Sequence, residues 1–354
     1  MTVWTPLTVG AMRLPHRLVM APMSRNRSLP DGLPGELGVE YYRQRASMAL
    51  IITEGTQPSE DGQGYLLTPG IHTDAHITGW RKVTDAVHAE GGRIVAQLMH
   101  AGRISHPDNT PHHRTPVAPS AVQPKGVMFT ATGLQEMPVP RALTTGEIAG
   151  VVDEFRRAAA AAVAAGFDGV EIHGGNGYLV HQFLSSHANE RTDRYGGSVA
   201  HRTRFAVEVT SAVAAEIGAD RTGLRISPGN HYNDITEHDL HDVYPALLDA
   251  VDPLGLAYLH LIQGPDEELL HRIRRQWSTA LIVNRGGTPL DTRFADIDSG
   301  LADAVSVGAT ALANPDLPHR VRTGAPLNEP DPATFYGGDH RGYTDYPALP
   351  TTRS

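Results

Sequence analysis

Eight short apolar runs constrain the fold of this chain more than any other feature of its sequence. They are rich in Val, Ile and Leu and are bounded by Gly, Pro or Asn. Continuous rather than alternating apolar runs are typical of strands that are buried on both faces, as in parallel sheets. The predicted strands are residues 17–23, 49–54, 93–99, 169–173, 223–227, 257–262, 280–284 and 304–307.

Helical patterns lie between these runs, and the clearest spans residues 144–165. Thr144 and Glu147 have the spacing of a capping box, and the second half of the segment is mostly alanine, the best helix former. Gly166 then ends the predicted helix. A strand followed by a helix, repeated eight times, predicts a (β/α)8 TIM barrel.

Three further helix starts can be predicted from capping signals. Ser198 is expected to cap a helix that runs to about residue 217. Thr236 is expected to cap another helix, with Asp239 in the reciprocal position, and Pro289 to open a third helix in its first turn. The alternative fold is a doubly wound open sheet, but the G-x-G-x-x-G loop that such a sheet needs after strand one is absent.

The chain is longer than a typical barrel requires, and two segments account for the surplus. Residues 101–143 contain seven prolines and no helical period, so we interpret them as an excursion, or lid, after strand three. Residues 328–354 form a C-terminal tail that is predicted to lie over the active site. No linker or low-complexity tract interrupts the sequence, so residues 1–354 are predicted to form one domain.

Composition excludes several classes of function. With 30 Lys and Arg against 39 Asp and Glu, the formal charge is −9, which disfavours nucleic acid and anionic membranes as partners. No apolar run approaches the roughly 20 residues that span a bilayer. The N-terminus has no signal-peptide pattern, and the chain has no cysteine, so neither a disulfide nor a Cys-based metal site is possible. We expect a cytoplasmic protein.

In a TIM barrel the active site lies at the C-terminal ends of the strands, so polar residues there should converge. The motif after strand four is the most informative, because His173, Asn176 and Tyr178 follow an apolar run within six residues. Two hydrogen-bond donors and a phenol can hold a carbonyl oxygen and deliver a proton to the carbon beside it. The alternative is a strand end that polar residues merely cap. The other strand-end residues are Ser24, Gly55, Gln97, His100, Arg225, Asn284, Arg285, Gly286, Gly287 and Gly308.

Arg225 lies inside an apolar run, where an unpaired charge is costly. It is expected to meet an anion, a carboxylate or the polar edge of a ring; the alternative is a structural ion pair with Glu54 or Glu171. The glycine-rich turns after strands seven and eight lie where barrels bind phosphate, although ordinary turns would look the same. Neighbouring histidines at 100, 106, 112 and 113 lack the ligand spacing of a metal site, so no metal is predicted.

Together these residues resemble the Old Yellow Enzyme family of flavin-dependent ene-reductases, closest to its alkene or N-ethylmaleimide reductase branch. The resemblance covers nearly the whole chain, and the order and spacing of its motifs are specific. The matching segments are MAPMSR at 20–25, YYRQRA at 41–46, QLMHAGR at 97–103, VEIHGGNGYL at 170–179, NERTDRYGGS at 189–198, ANPDL at 313–317 and GYTDYP at 342–347.

The resemblance implies an FMN cofactor within the barrel. It implies that Ser24 lies near the flavin C4 carbonyl and N5, where a donor tunes the reduction potential; the alternative is a simple turn hydroxyl. Gln97 and Arg225 would hold the pyrimidine edge of the isoalloxazine. The full implied cofactor-binding set is Pro22, Met23, Ser24, Gly55, Gln97, Arg225, Asn284, Arg285, Gly286, Gly287 and Gly308.

The resemblance also assigns roles around the substrate. His173 and Asn176 would bind the oxygen of an activating carbonyl, imide or nitro group, and Tyr178 would protonate the α-carbon. Tyr65 and Met99 would shape the substrate pocket, and Tyr343 would cover the ring system. NADPH or NADH would transfer hydride to the flavin and leave, and the activated alkene would then accept that hydride at its β-carbon.

One departure from the family pattern concerns the phosphate of FMN. The family has Gly-Arg after strand eight, and the Arg binds the phosphate, whereas this chain has Gly308 and Ala309. After strand seven it has Arg285, where many relatives have small residues. We therefore expect Arg285 to supply the missing charge, since Arg suits bidentate phosphate binding. The alternative is that backbone amides suffice and Arg285 faces solvent.

Three other functions remain open from the sequence. The scaffold could perform one specialised biosynthetic reduction or isomerisation, or it could bind flavin without catalysis, which the complete trio at His173, Asn176 and Tyr178 disfavours. A phosphosugar aldolase or isomerase would require a Lys or paired carboxylates at the strand ends. The protein is expected to be a monomer or homodimer. Its natural substrate and its choice between NADPH and NADH are not predicted.

Overall fold

The structure is a computed structural model that describes residues 2–350. Eight parallel strands close into a barrel in sequential order, and strand eight pairs with strand one through Val305 and Leu18. Closure confirms the predicted TIM barrel and excludes the open sheet. Strands one to eight are Leu18–Met20, Ile51–Ile52, Ile94–Leu98, Gly169–Gly174, Thr222–Ile226, Tyr258–Ile262, Ala280–Asn284 and Ala304–Val307.

Ten helices surround the barrel or extend its strand ends within the described residues. They are α1 Glu36–Gln44, α2 Asp74–Ala89, α3 Thr145–Ala164, α4 Leu179–Leu184, α5 Val199–Ile217, α6 Leu240–Val251, α7 Glu267–Gln276, α8 Leu290–Asp298, α9 Ala309–Ala313 and α10 Leu317–Thr323. Short 3-10 turns lie at Thr2–Trp4, Glu60–Gly62, Pro107–Asn109, Ala219–Arg221, Asp252–Leu254 and Pro332–Thr334. In the part of the chain that the structure describes, no helix has both the length and the apolar character needed to cross a bilayer.

The apolar strands explain why the barrel forms and where it opens. All residues of strands three, four and five are buried, as their continuous apolar character predicts. An N-terminal hairpin of Leu7–Val9 and Met12–Leu14 packs against the bottom of the barrel, where its Val9 and Leu14 join the interior core around Tyr258. The N-terminal end of the barrel is therefore filled with apolar side chains, and the C-terminal strand ends are left for a site.

The predicted caps of two long helices are confirmed. Thr144 Oγ accepts from the Glu147 N–H, and the Glu147 carboxylate accepts from the Thr144 N–H, so the capping box at the start of α3 is complete. Ser198 caps α5 through the His201 N–H. Both helices pack against each other and carry the outer wall behind strands four and five.

The prediction of a helix capped by Thr236 is wrong. Helix α6 begins at Leu240, with Asp239 at the N-cap. The Thr236 carbonyl accepts a hydrogen bond of 2.8 Å from Ser185 Oγ, and the Asp239 carboxylate pairs with Arg202, so contacts with the residue after α4 and with α5 hold this segment in a non-helical conformation. Pro289 lies at the N-cap of α8, one residue before its predicted position.

The excursion after strand three contains β structure of its own. Val117–Ala118 pairs in parallel with Arg141–Ala142, which ties the two ends of the segment together. Between them, Val127–Thr130 and Gly133–Glu136 form an antiparallel hairpin, which we call the lid hairpin. The Pro-rich composition predicted an irregular excursion and did not predict this hairpin.

Candidate active site

A cavity of about 940 Å³ opens at the C-terminal ends of the strands. Most of the site residues predicted from the sequence line this cavity. From the predicted cofactor-binding, catalytic and pocket sets, these are Pro22, Met23, Ser24, Gly55, Tyr65, Gln97, Met99, His173, Asn176, Tyr178, Arg225 and Gly308. Their convergence from six different strand ends follows from barrel closure and not from proximity in the sequence.

The floor of the cavity rests on a buried hydrogen-bond network. Gln97 Nε2 donates to Glu171 Oε1 at 2.8 Å, and the other carboxylate oxygen lies 2.8 Å from His260 Nδ1. His260 Nε2 lies 2.8 Å from Ser306 Oγ, so the network joins strands three, four, six and eight. Because Nε2 of Gln97 is held by a carboxylate, its Oε1 remains available as an acceptor for a ligand.

Arg225 is buried beside this network without a direct ion pair. Its Nε has no hydrogen-bond partner among the described residues. Burial lowers the pKa of Arg225, against the opposing charge of Glu171. The alternative reading, a structural ion pair with Glu54 or Glu171, is not observed, since Glu171 hydrogen bonds to Gln97 and His260, while the Glu54 carboxylate accepts from the Arg25 N–H. A buried guanidinium with an unsatisfied donor fits an acceptor on a bound ligand, such as the edge of a flavin.

The turn after strand four requires its glycines. A Cβ at Gly175 would lie 2.8 Å from Ser227 Oγ, and one at Gly177 would lie 2.6 Å from Asn233 Cβ. Between them Asn176 adopts a left-handed φ of 54°, a conformation that Asn tolerates better than most residues. This tight turn brings Asn176 and His173 to the same side of the cavity.

The side-chain amide of Asn176 is oriented by a neighbour that the sequence did not single out. Asn230 Nδ2 donates to Asn176 Oδ1 at 3.0 Å, which leaves the Nδ2 of Asn176 available as a donor. Asn233 Nδ2 donates to the Asn176 carbonyl at 2.7 Å, and the Asn176 N–H donates to Ser227 Oγ. These residues follow strand five in a polar turn, and only barrel closure places that turn against strand four.

His173 is held neutral in the cavity. Burial, followed by the charge of Arg225, lowers its pKa well below the usual value. A neutral imidazole carries one N–H donor, and His173 Nδ1 has no partner among the described residues. Its ring centroid lies 5.2 Å from that of Tyr178, so the donor and the phenol share one small space.

Tyr178 is buried, and its hydroxyl lies 3.1 Å from that of Tyr65. Burial raises the pKa of Tyr178 to about 12, although the hydrogen bond with Tyr65 opposes the shift. The phenol is therefore protonated throughout the neutral range and can serve as a proton donor. Tyr65 closes the same side of the cavity with its ring at 87° to that of Tyr178.

Tyr343 and His100 do not line the cavity. Tyr343, a residue of the tail, is buried, stacks on Tyr41 with ring centroids 4.3 Å apart and lies 4.9 Å from the Arg25 guanidinium. The prediction that Tyr343 covers the ring system is therefore wrong, and Phe335, Tyr336 and Gly337 are the tail residues that line the cavity. His100 is also buried, and its Nδ1 accepts from the Gly102 N–H.

The structure also contradicts the phosphate role predicted for Arg285. Its Nε donates to Asp296 Oδ2 at 2.6 Å, and its Nη1 pairs with Glu267 at 2.5 Å. These carboxylates raise its pKa and use its donors. The adjacent Asn284 turns its Nδ2 toward Ser306, and neither Asn284, Arg285, Gly286 nor Gly287 is among the residues that line the cavity. The carboxylates lie 11 and 18 residues away in sequence, so the turn motif alone did not reveal them.

The lid hairpin forms an apolar wall of the cavity. Met128 is buried against Met137, and both pack in one cluster with Met99 and Tyr178. Phe129 and Leu134 also line the cavity but remain 68% and 69% exposed. Exposed apolar side chains at a cavity mouth indicate a surface for an apolar ligand.

No cluster of three or more His, Asp or Glu side chains suited to a metal occurs between residues 2 and 350. Two histidines of the excursion that were considered as metal ligands form other contacts. His112 lies 3.4 Å from Asp61, and His113 Nδ1 lies 2.9 Å from the Pro107 carbonyl.

Comparison with known proteins yields a consistent result. The model of the NADH:flavin oxidoreductase / NADH oxidase family matches residues 2–328. The chain is 43% identical over 353 residues to a probable flavin mononucleotide-dependent alkene reductase of Leishmania infantum, covering 97% of this chain and 96% of that protein. It is 39% identical to 12-oxophytodienoate reductase 2 of Arabidopsis thaliana, with 98% and 96% covered.

Solved structures extend this similarity to three dimensions. Morphinone reductase in complex with tetrahydroNAD superimposes on this chain with a TM-score of 0.96 at 44% sequence identity, covering all of this chain and 99% of that one. The Old Yellow Enzyme homologue from Zymomonas mobilis superimposes with a TM-score of 0.95 at 38% identity, with 99% and 100% covered.

Proposed function

Since the chain belongs to the NADH:flavin oxidoreductase / NADH oxidase family, as an Old Yellow Enzyme homologue, we propose how its cavity carries out ene-reduction. The protein is an FMN-dependent oxidoreductase that uses a nicotinamide dinucleotide as reductant. Its proposed substrates are alkenes activated by a carbonyl, imide or nitro group. The observation that carries the proposal is the meeting, in one cavity, of an unsatisfied buried Arg225, the neutral His173 and the protonated Tyr178.

Gln97 and Arg225 are proposed to hold the pyrimidine edge of FMN. The Oε1 of Gln97 is free to accept from a ring N–H because Glu171 occupies the amide nitrogen, and the unsatisfied Nε of Arg225 can donate to a ring acceptor. When bound, reduced FMN would supply the hydride that an activated alkene accepts, and the nicotinamide would reduce the flavin again. The proposed flavin pocket further includes Pro22, Met23, Ser24, Gly55 and Gly308.

His173 and Asn176 are proposed to hold the activating oxygen of the substrate. That oxygen gains negative charge as the β-carbon accepts hydride, so donors aimed at it stabilise the transition state more than the ground state. Asn230 keeps the Asn176 amide turned so that its Nδ2 can donate. A neutral His173 donates without bringing a full charge into the cavity.

Tyr178 is proposed to give its proton to the α-carbon. Its pKa of about 12 keeps the phenol protonated at neutral pH, and its location at the start of α4 places it beside the oxygen-binding pair. The Tyr65 hydroxyl lies within hydrogen-bond distance of Tyr178 and can donate a hydrogen bond to the phenolate that remains after the proton is transferred. Reduction of the flavin by nicotinamide and reduction of the alkene by the flavin are proposed to use the same site. The nicotinamide and the alkene would therefore bind there in turn.

The lid hairpin favours a bulky, apolar substrate, which corresponds to the alternative of a specialised biosynthetic reductase. Phe129 and Leu134 present apolar surface at the cavity mouth, and Met99 and Met137 can adapt to irregular shapes. We propose that residues 1–354 act as one domain in which 101–143 sets specificity. A cytoplasmic monomer or homodimer remains the proposed state.

Anaerobic reduction tests the proposal. The purified protein should be yellow, bleach with NADPH or NADH, and recover its colour when a cyclic enone, a maleimide or a nitroalkene is added. A colourless protein that cannot be reconstituted with FMN would contradict it. The specialised alternative predicts a higher kcat/KM for polycyclic enones than for cyclohexenone; equal values would leave the lid hairpin without a role in selection.

A further inference from the structure

Gly177 separates the two polar groups of the strand-four turn, Asn176 and Tyr178, so the orientation of its peptide groups determines where both side chains start. Its φ is 78°, and a Cβ there would lie 2.6 Å from Asn233 Cβ. Glycine has more conformational freedom to lose on folding than any other residue. The turn therefore needs hydrogen bonds to its peptide groups if it is to keep one geometry.

His181 of α4 supplies one of these bonds. The Gly177 N–H donates to His181 Nδ1 at 3.0 Å, and the Gly177 carbonyl accepts from Gln182 Nε2 at 2.8 Å. Because Nδ1 of His181 accepts a hydrogen bond, it carries no proton, and the ring proton lies on Nε2. His181 is fully buried and does not line the cavity, so any effect it has on a bound substrate passes through Gly177.

The other ring nitrogen of His181 meets a buried carboxylate. His181 Nε2 lies 3.2 Å from Glu237 Oε1, whose side chain is only 3% exposed, and 3.2 Å from the Tyr244 hydroxyl. Tyr244 is carried by α6 and donates to the same carboxylate oxygen at 2.8 Å. These three side chains therefore form one closed network between α4 and α6.

The second oxygen of Glu237 reaches the turn after strand five. Glu237 Oε2 accepts from the Gly229 N–H at 3.0 Å. Gly229 immediately precedes Asn230, which donates to Asn176 Oδ1 at 3.0 Å. Both oxygens of a carboxylate accept hydrogen bonds, so one side chain can hold two backbone segments. Glu237 thus joins the turn that carries Asn176 to the turn that orients its amide.

The network has the properties of a positioning device. Buried polar groups contribute little net stability, because desolvation offsets most of the energy of their hydrogen bonds. They do make a core rigid when every member is satisfied. Among the described residues, no polar side-chain atom of His181, Glu237 or Tyr244 is buried without a partner.

We propose that His181 and Glu237 are positioning residues, which hold Asn176 and Tyr178 in the geometry that oxygen binding and proton transfer require. His181 fixes the strand-four turn through Gly177, and Glu237 couples that turn to the strand-five turn. The inference rests on the proposed ene-reduction. It gives roles to two buried residues that the sequence did not single out.

Two variants that each imitate one ring nitrogen of His181 test the first link. His181→Asn places an acceptor near the location of Nδ1, whereas His181→Gln places its amide near Nε2 and removes the acceptor for the Gly177 N–H. We expect His181→Gln to lower kcat/KM for a cyclic enone by about 10- to 100-fold, since small displacements of reacting groups have effects of that size. His181→Asn should stay within about 3-fold of the wild type. Equal losses in the two variants would contradict the role of Nδ1.

Hydrogen exchange of the backbone amides in residues 174–179, followed by mass spectrometry, gives a readout that does not depend on turnover. Exchange should be faster in His181→Gln than in the wild type or His181→Asn, because the Gly177 N–H has lost its acceptor. The matched control is Phe183→Leu, which changes buried apolar packing on the same helix. It should lower the melting temperature and leave both the exchange of this segment and kcat/KM nearly unchanged. Unaltered exchange in His181→Gln would refute the link.

A double-mutant cycle with Asn176→Ala separates positioning from a general loss of stability. If His181 acts through the turn that carries Asn176, the effect of His181→Gln on kcat/KM should be at least about 3-fold smaller in the Asn176→Ala background, because the positioned group is already absent. The same loss in both backgrounds would mean that His181 supports only the fold.

Glu237→Gln tests the coupling between the two turns. An amide has one acceptor oxygen instead of two, so it cannot accept both from the Gly229 N–H and from the side of His181. We expect kcat/KM to fall by about 3- to 10-fold, and by less in an Asn230→Ala background, where the same link is already cut. Full activity in Glu237→Gln would remove Glu237 from the assignment. Wild-type protein that reduces no activated alkene would instead refute the proposed function.

Discussion

The ends of strands three to five and the end of strand seven differ in where their polar side chains point. At the former, Gln97, His173 and Arg225 line the cavity as the sequence predicts. At the latter, Arg285 turns away to Glu267 and Asp296. Both regions have a polar residue at the end of an apolar strand, so strand-end position alone does not decide where a side chain points.

Arg225 and Arg285 differ in the carboxylates that are available to pair with each guanidinium. Arg225 lies within strand five, where burial limits its neighbours, and the nearest carboxylate is already hydrogen-bonded to Gln97 and His260. Arg285 follows its strand and can reach two carboxylates carried by α7 and α8. A charged side chain adopts the arrangement with the most charge-assisted hydrogen bonds, so the surrounding helices decide which arginine remains for a ligand.

The largest expected effect concerns the strand-four motif. Tyr178→Phe should slow alkene reduction by about 10²- to 10⁴-fold, because the proton donor is removed, and leave flavin reduction by nicotinamide nearly unchanged. Stopped-flow measurement of each half-reaction checks this. Equal losses in both halves would mean that Tyr178 shapes the cavity and does not donate the proton.

The second largest loss of activity is expected at the proposed oxygen-binding pair, His173 and Asn176. His173→Ala should reduce kcat/KM for a cyclic enone by about 10²- to 10³-fold, the usual loss for one donor to a developing oxyanion. Asn230→Ala should cost about 10-fold or less, because it only orients the Asn176 amide. An Asn230→Ala effect as large as that of His173→Ala would require a direct contact of Asn230 with the substrate.

Arg225 should contribute equally to the binding of FMN and of riboflavin, the flavin that lacks the phosphate. Arg225→Ala should weaken FMN and riboflavin binding alike, by about 10- to 100-fold, because both ligands have the same ring edge. If Arg225→Ala affects FMN alone, the orientation of the flavin proposed for the cavity is reversed.

A smaller effect is expected at the buried network. Glu171→Gln removes a negative charge near Arg225 while keeping a group that can hydrogen bond, so the reduced and more negative flavin is favoured. The midpoint potential of the bound FMN should shift to more positive values by on the order of tens of millivolts, since about 30 mV corresponds to about 1.4 kcal/mol for a two-electron couple. A negative shift or none would show that the charge of Glu171 does not reach the flavin.

The smallest expected effect is in the pH profile. The acid must be protonated to act, and its pKa is raised from 10.0 to about 12, so the active form persists over a wider range than for free phenol. The rate of alkene reduction should remain flat from about pH 6 to about pH 10 and fall only above that. A decline centred near pH 8 would assign the proton to another group.

Local signals predicted much of this molecule. Strand positions, the capping box of α3 and the cap of α5 follow from residues a few positions apart, and the strand-four motif carries its glycines and polar groups within one turn. The prediction at Thr236 failed for the opposite reason, since its segment is held by Ser185, which follows α4, and by Arg202 of α5, both distant in sequence. The amide of Asn176 was likewise oriented by a turn after another strand.

The sequence by itself determined the barrel, the ends of strands three to five and the grouping of His173, Asn176 and Tyr178 in one turn, because these depend on apolar periodicity and short-range spacing. Only the tertiary structure decided that Tyr343 packs on Tyr41 and that Arg285 pairs with Glu267 and Asp296. The physical reason is that burial and ion pairing are competitions among groups distant in the chain, and barrel closure determines which of those groups come within reach.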